Sequence, residues 1–262
     1  MLDLAYDTHG NPDNPAVLLL HGFMSCNAQW WANLPALSEH HHVISAELWG
    51  HGRSPVPEEN SAWSIEAYLQ QFETIRSHLG ISCWHAIGQS YGAGLIIRYA
   101  LACPDAVCSV VATNSRSAFS QPGEGPGQTN ETSNKPKSNP LSGDFELRQL
   151  PYHPIHARRF PESIKAEMVL QADQMSREAI RKGGRLGATL NCVEAVADLK
   201  QPLLITNGQY EKSFQQDLVY LKQRYPHLNV ADLPGGHSVN IEAAEPFNQA
   251  VLAFLSDHQS MR

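Results

Sequence analysis

The chain has 262 residues, a formal charge of −7, 42% hydrophobic content and five cysteines. This length fits one α/β domain with insertions, in which about three quarters of the unfolded surface can be buried. The negative balance with no basic cluster argues against a nucleic-acid partner, and no run reaches the roughly 18 apolar residues of a membrane span.

Leu2, Leu4 and Tyr6 alternate with polar residues, as in an edge strand, and a turn cluster over 10–15 follows. The continuous apolar run Ala16 to Leu20 then has the pattern of a strand buried on both faces. It ends in His21-Gly22-Phe23-Met24. Ligands bind at the carboxyl ends of such strands, which makes the Phe23 amide a candidate oxyanion donor. Trp30 and Trp31 fall in a predicted helix running to Leu37 and are expected in the core rather than in an acyl pocket. His40-His41-His42 is expected to be a solvated run, because three adjacent residues cannot all face one ion. Val43 to Glu47 reads as a strand, and Gly50 and Gly52 imply a tight loop after it. Ile65, Tyr68, Leu69, Phe72, Ile75 and Leu79 recur at helical spacing, with Ser64 as a candidate cap and Gly80 as the stop.

The segment from Cys83 to Leu101 carries the chemistry. An apolar stretch to Ile87 leads through Gly88-Gln89-Ser90-Tyr91-Gly92 into a helical face of Leu95, Ile96, Tyr99 and Ala100. Strand, sharp turn and helix in this order lift a serine hydroxyl out of the sheet, and the first helical amides, Tyr91 foremost, point at whatever it attacks. Val107 to Ala112 is the next strand. From Ser120 to Gly143 the composition turns to Gly, Pro, Ser, Thr, Asn and Gln, which predicts a flexible linker over 120–144. Short apolar pieces around Met168 to Leu170, Met175 and Ile180 predict a helical cap over 145–196, inserted into a core of 1–119 and 197–262. Core logic resumes with the strand Pro202 to Thr206, which leads to Glu211. A helix with Phe214, Leu218 and Leu221 follows, then the strand Leu228 to Leu233, the loop Pro234-Gly-Gly-His237, and a last helix from Pro246.

A serine hydroxyl needs a base within hydrogen-bond reach and a third group to hold that base in the right tautomer. His237, in a glycine-flanked loop after the last strand, is the candidate base, while His21, His51 and His85 lie on or beside early strands and read as structural. Glu211 is the candidate acid. Asp217 falls inside the following helix and Asp232 within a strand.

His21-Gly-Phe-Met24, Gly50-His-Gly-Arg-Ser54, Gly88-Gln-Ser-Tyr-Gly92, Gly208-x-x-Glu211 and Gly236-His237 together resemble the successive signatures of the α/β-hydrolase superfamily. The resemblance spans the chain apart from about 120–196. It implies the α/β-hydrolase fold, a mostly parallel sheet flanked by helices with an inserted helical cap. It also implies Ser90 as nucleophile, His237 as base, Glu211 as acid, and the amides of Phe23 and Tyr91 as oxyanion hole. Two departures stand out: the acid is Glu rather than Asp, and the usual Asp-x-Pro-Gly-His-Gly is Glu47-Leu-Trp-Gly-His-Gly52. The expected function is a serine hydrolase cleaving a carboxylic ester, lactone or thioester through an acyl-enzyme. The alternatives are a lyase using the same triad as a base and a non-catalytic binding protein. The phrase Gly208 to Phe214 is similar to the pyruvate-eliminating lyase of menaquinone biosynthesis, whose arginine four residues after the serine is replaced by Gly94.

A small-molecule acyl substrate is the expected partner, with no metal or organic cofactor, since the triad generates its own nucleophile and no ligand cluster is evident. The cysteines Cys26, Cys83, Cys103, Cys108 and Cys192 are scattered and odd in number, and read as reduced packing residues. With no basic-then-apolar leader at the amino terminus, a soluble cytoplasmic protein is expected. The substrate and the oligomeric state are left open.

Overall fold

A computed structural model describes residues 3–122, 124, 141 and 144–258. Seven strands, β1 (Tyr6–His9), β2 (Ala16–Leu20), β3 (His42–Ala46), β4 (Trp84–Gly88), β5 (Val107–Thr113), β6 (Leu203–Gly208) and β7 (Asn229–Leu233), form one sheet in the order β1-β3-β2-β4-β5-β6-β7. Only β1 runs antiparallel to its neighbour. The helices are α1 (Leu34–His40), α2 (Ile65–His78), α3 (Tyr91–Ala102), α4 (Arg116–Phe119), α5 (Glu162–Gln174), α6 (Arg177–Gly187), α7 (Lys212–Arg224), α8 (Val239–Glu242) and α9 (Ala244–Asp257).

The apolar runs of β2, β4 and β5 are continuous because both faces of the sheet are covered. Leu18 and Leu20 pack with Tyr68 and Phe72 of α2, Leu95 and Tyr99 of α3, and Phe214 and Leu218 of α7. Val17 and Leu19, pointing the other way, pack with Leu37 of α1 and with Phe247, Val251 and Leu255 of α9. Each of these fully buried aliphatic side chains contributes about 1.5–3 kcal/mol. Ser64 caps α2, its hydroxyl accepting from the Ala67 amide, and Gly80 beyond its end takes the left-handed φ of +67°. Trp30 is fully buried in the sheet's second core beside Phe247, and Trp31 is 44% exposed. The helix expected around both tryptophans is a 3₁₀ turn, Asn27–Trp30, separated from α1.

The stretch between β5 and β6 contains α5 and α6. Ile164 and Met168 of α5 pack on Cys26, Ala28 and Ile241. Ala172, Met175 and Ile180 pack with Met24, Phe145 and Leu150. These helices therefore lie against the turn that follows β2. Most of the linker expected over 120–144 lies outside the described residues.

Two further expectations are corrected. His41 and His42 are buried rather than solvated, and only His40 of the three is exposed, because His42 opens β3 and pairs with Ala16. Cys83 and Cys108 form a disulfide rather than a pair of thiols. Their adjacent strands bring the Cα atoms to 6.1 Å, inside the bridgeable range of about 4.4–6.8 Å. Cys26, Cys103 and Cys192 are free. The pairing removes the cysteine argument for a reducing compartment. Among the described residues no helix is long and apolar enough to cross a membrane.

Candidate active site

Ser90 lies between β4 and α3 with φ 51° and ψ −106°. The turn is this tight because a Cβ at Gly88 would strike the Gly92 backbone, and a Cβ at Gly92 the Leu20 carbonyl. Ser90 and Met24 (φ 54°) are the two non-glycine residues with positive φ among the described residues. Such strain persists only where surrounding bonds over-determine the backbone. At Ser90 those bonds come from the end of β5: the Ser90 amide donates to Thr113 Oγ1 at 3.2 Å, and the Ser115 hydroxyl donates to the Ser90 carbonyl at 2.7 Å. At Met24 the amide donates to His51 Nε2 at 3.1 Å.

His51 and His21 are both held neutral with the proton on Nδ1. His51 Nδ1 donates to the Trp49 carbonyl at 2.9 Å, while His21 accepts the Leu48 amide on Nε2 at 3.0 Å and donates to the Gly22 carbonyl at 2.8 Å. Burial lowers the pKa of His21 to about 4. Burial and the neighbouring His21 lower that of His51 to about 3. Both histidines are structural, as expected, and they shape the turn that carries Phe23. Glu47, where the family pattern has aspartate, accepts from the Arg53 amide at 3.0 Å and from its Nε at 3.1 Å.

The structure brings Glu211 and His237 together: His237 Nδ1 lies 3.0 Å from Glu211 Oε1. With a carboxylate as partner, Nδ1 carries the proton and Nε2 is left as the basic nitrogen. The turns after β6 and β7 can approach this closely because a Cβ at Gly208 would collide with the Gly236 carbonyl. Partial desolvation opposes protonation of the half-exposed His237, but the charge of Glu211, its hydrogen bond and the charge of Glu242 outweigh it and raise the imidazole pKa. Burial likewise pushes the Glu211 carboxyl up, and the charge and hydrogen bond of His237, helped by Asn114 and Ser213, bring it below the usual value. Glu242 accepts from the Gly236 amide at 2.9 Å and from Arg159 at 3.1 Å, and the Arg159 guanidinium lies 5.0 Å from the Tyr210 ring centre.

Phe23 and Tyr91 are neighbours, their rings stacked at 5.8 Å and 18°. Among the described residues the Ser90 bonds run through its backbone to Thr113 and Ser115, and the His237 ring bonds Glu211. Asp217 is fully buried and paired with Arg116 at 2.9 Å, and it also accepts the Gln121 amide, so its role is structural. Asp232 accepts from Asn207 at 2.7 Å within the β6–β7 pair.

Two features escaped the sequence reading. Gln89, buried beside Ser90, packs on Gly22 and donates to the His237 carbonyl at 3.2 Å, so one side chain touches two of the three turns around the serine. Asn114 donates to the Gly208 carbonyl at 3.2 Å and accepts its amide at 2.7 Å. Thr113-Asn114-Ser115 thus fixes the turns of Ser90 and Glu211 at once. The available signal was three successive polar residues closing an apolar strand.

A family model described as the alpha/beta hydrolase fold matches residues 15–244. RutD of Stutzerimonas stutzeri, a protein named as a carbamate hydrolase, is 25% identical over 96% of each chain. Carboxylesterase YbfK of Bacillus subtilis is 24% identical over 94% of this chain and 82% of its own. Among solved structures, the enol-lactonase of Burkholderia xenovorans superposes with a TM-score of 0.76 at 18% identity, covering 97% of this chain and 96% of its own. At that identity the superposition speaks for the fold alone.

Proposed function

Because the chain belongs to the alpha/beta hydrolase fold family, we propose that it is a serine hydrolase that cleaves carboxylic esters, including lactones and thioesters, through an acyl-enzyme. The observation that carries this reading is the His237–Glu211 hydrogen bond at 3.0 Å together with a serine turn held at φ 51°, whose neighbour Gln89 bonds the His237 carbonyl at 3.2 Å. Ser90 Oγ attacks the substrate carbonyl while His237 Nε2 takes its proton. Glu211 steadies the imidazolium that forms, and the amides of Phe23 and Tyr91 receive the negative charge growing on the carbonyl oxygen. Neither amide has a protein acceptor among the described residues. Collapse of the tetrahedral species expels the alcohol, which leaves with the proton from His237. Water, deprotonated by the same nitrogen, then hydrolyses the acyl-enzyme to release the acid and restore Ser90. Residues 145–196 act as a cap over this site, with α5 and α6 seated on the turn of Met24 and shaping the acyl pocket.

The test is labelling by a fluorophosphonate together with turnover of p-nitrophenyl esters of graded acyl length. The wild type is expected to label at Ser90, and Ser90→Ala and His237→Ala each to lose turnover on the order of 10⁶-fold. Turnover within tenfold of wild type in either variant would refute the assignment.

A further inference from the structure

Sheet order explains how two of the turns in the proposed site are aligned, but not the other two. Ser90 and Glu211 follow β4 and β6, which flank β5, and the polar end of β5 holds both. Phe23 and His237 follow β2 and β7, which are separated by β4, β5 and β6. Four strand spacings amount to about 19 Å, over which sheet twist accumulates. No ladder sets the distance between these two turns.

A chain of buried amides spans the gap. Gln29, Asn33 and Asn240 are no more than 1% exposed and Ser25 is 4% exposed. Burying such side chains is unfavourable unless each donor and acceptor is paired, and these are. Ser25 Oγ donates to Gln29 Oε1 at 3.0 Å, and Gln29 Nε2 to Asn240 Oδ1 at 2.8 Å. Asn240 Nδ2 donates to the Gln29 carbonyl at 2.7 Å and to Asn33 Oδ1 at 3.1 Å. Asn33 Nδ2 returns one bond to the Asn240 carbonyl at 2.9 Å and gives another to Asn248 Oδ1 at 2.8 Å. Every amide hydrogen of Asn33 and Asn240 is used. Ser25 lies two residues after Phe23, and Asn240 three residues after His237. The network therefore cross-links the turn of the oxyanion amide to the turn of the base.

We infer that Asn240, acting through Gln29 and Asn33, is a positioning residue that sets the spacing between His237 and the Phe23 amide. This rests on the roles assigned to those residues under the proposed function. Leucines of similar volume would fill the same space without desolvating amides, and hydrogen-bond directionality is what they would lack.

The test compares Asn240→Leu with the double variant Gln29→Leu/Asn240→Leu, using Tm and steady-state hydrolysis of a p-nitrophenyl ester. The single variant strands the Gln29 amide, the Gln29 carbonyl and Asn33 Oδ1, whereas the double also removes the Gln29 side chain and should recover part of the lost Tm. If the network positions the two turns, kcat stays down on the order of 10- to 100-fold in both variants, with KM within about threefold of wild type. A double variant whose kcat returns to within about threefold of wild type as its Tm recovers would show that the amides are merely structural. Should the leucine variants fail to fold, Asn240→Ser is judged by the same split between kcat and KM. Ser90→Ala is run in parallel. Turnover that survives it overturns the proposed function and this inference together, whereas Ser90-dependent turnover with an unimpaired double variant overturns this inference alone.

Discussion

Replacing Glu211 by Gln removes one charge while leaving the shape of the turn almost unchanged. The carboxylate lies 3.0 Å from His237 Nδ1. At an effective dielectric near 20, two unit charges so close interact by roughly 5 kcal/mol. The His237 side chain is 48% exposed, so solvent screening takes at least half, leaving about 2 kcal/mol, or roughly 30-fold in stabilising the imidazolium. The Gln side chain can also turn its NH₂ toward Nδ1, which favours the proton on Nε2 and blocks the base. Together these effects should lower kcat on the order of 10² to 10⁴-fold, less than loss of Ser90 or His237. The pH profile carries an independent signature. In the proposed mechanism His237 must be neutral to accept the serine proton, so kcat/KM should rise with pH through an imidazole pKa above 6.5, which Glu211 helps to raise. In Glu211→Gln that rise should move to lower pH while the plateau falls. Initial rates of p-nitrophenyl ester hydrolysis between pH 5 and 9 measure both. A plateau within tenfold of wild type, an unmoved rise, or greater damage to kcat from Asp217→Asn would refute the assignment of the acid.

Two further predictions concern stability. His21 and His51 are folded with pKa values lowered to about 4 and about 3, so the unfolded chain binds more protons than the folded one below the ordinary value of 6.5. Their contribution to stability is complete above that value and shrinks as pH falls toward the folded values. Urea midpoints should therefore drop between pH 7 and pH 4.5, and less steeply in His51→Gln; parallel pH profiles for the two proteins would count against the buried neutral pair. The Cys83–Cys108 disulfide closes a loop with a sequence separation of 25, worth about 3.5 kcal/mol of chain entropy, or about 6 °C in Tm for a chain of this length. The Cys83→Ser/Cys108→Ser variant should melt lower by that order, and Ellman titration of the unfolded wild type without reductant should find three thiols, as the three free cysteines require. Five thiols, or an unchanged Tm, would refute the pairing.

The part of the site legible from residues in line is the part built by neighbours in the chain. Gly88 to Gly92 specify a strand, a sharp turn and a helix within a few residues, and the apolar runs of β2, β4 and β5 announce strands covered on both faces. Glu211 and His237 stand out in the sequence because each lies in the turn after a strand, at the carboxyl end where ligands bind, and the structure joins them in one hydrogen bond. What residues in line could not disclose depends on which strands lie side by side. The β4–β5 pairing turns two scattered cysteines into a disulfide and lets Thr113, Asn114 and Ser115 hold two turns at once. The β2–β3 pairing buries His42, which looked solvated beside two other histidines. Gln29 and Asn240 are 211 positions apart and each is an ordinary polar residue on its own helical turn. Their bond exists because α8 and the turn after β2 meet beside the sheet, a meeting set by the packing of both segments and by no local preference of either.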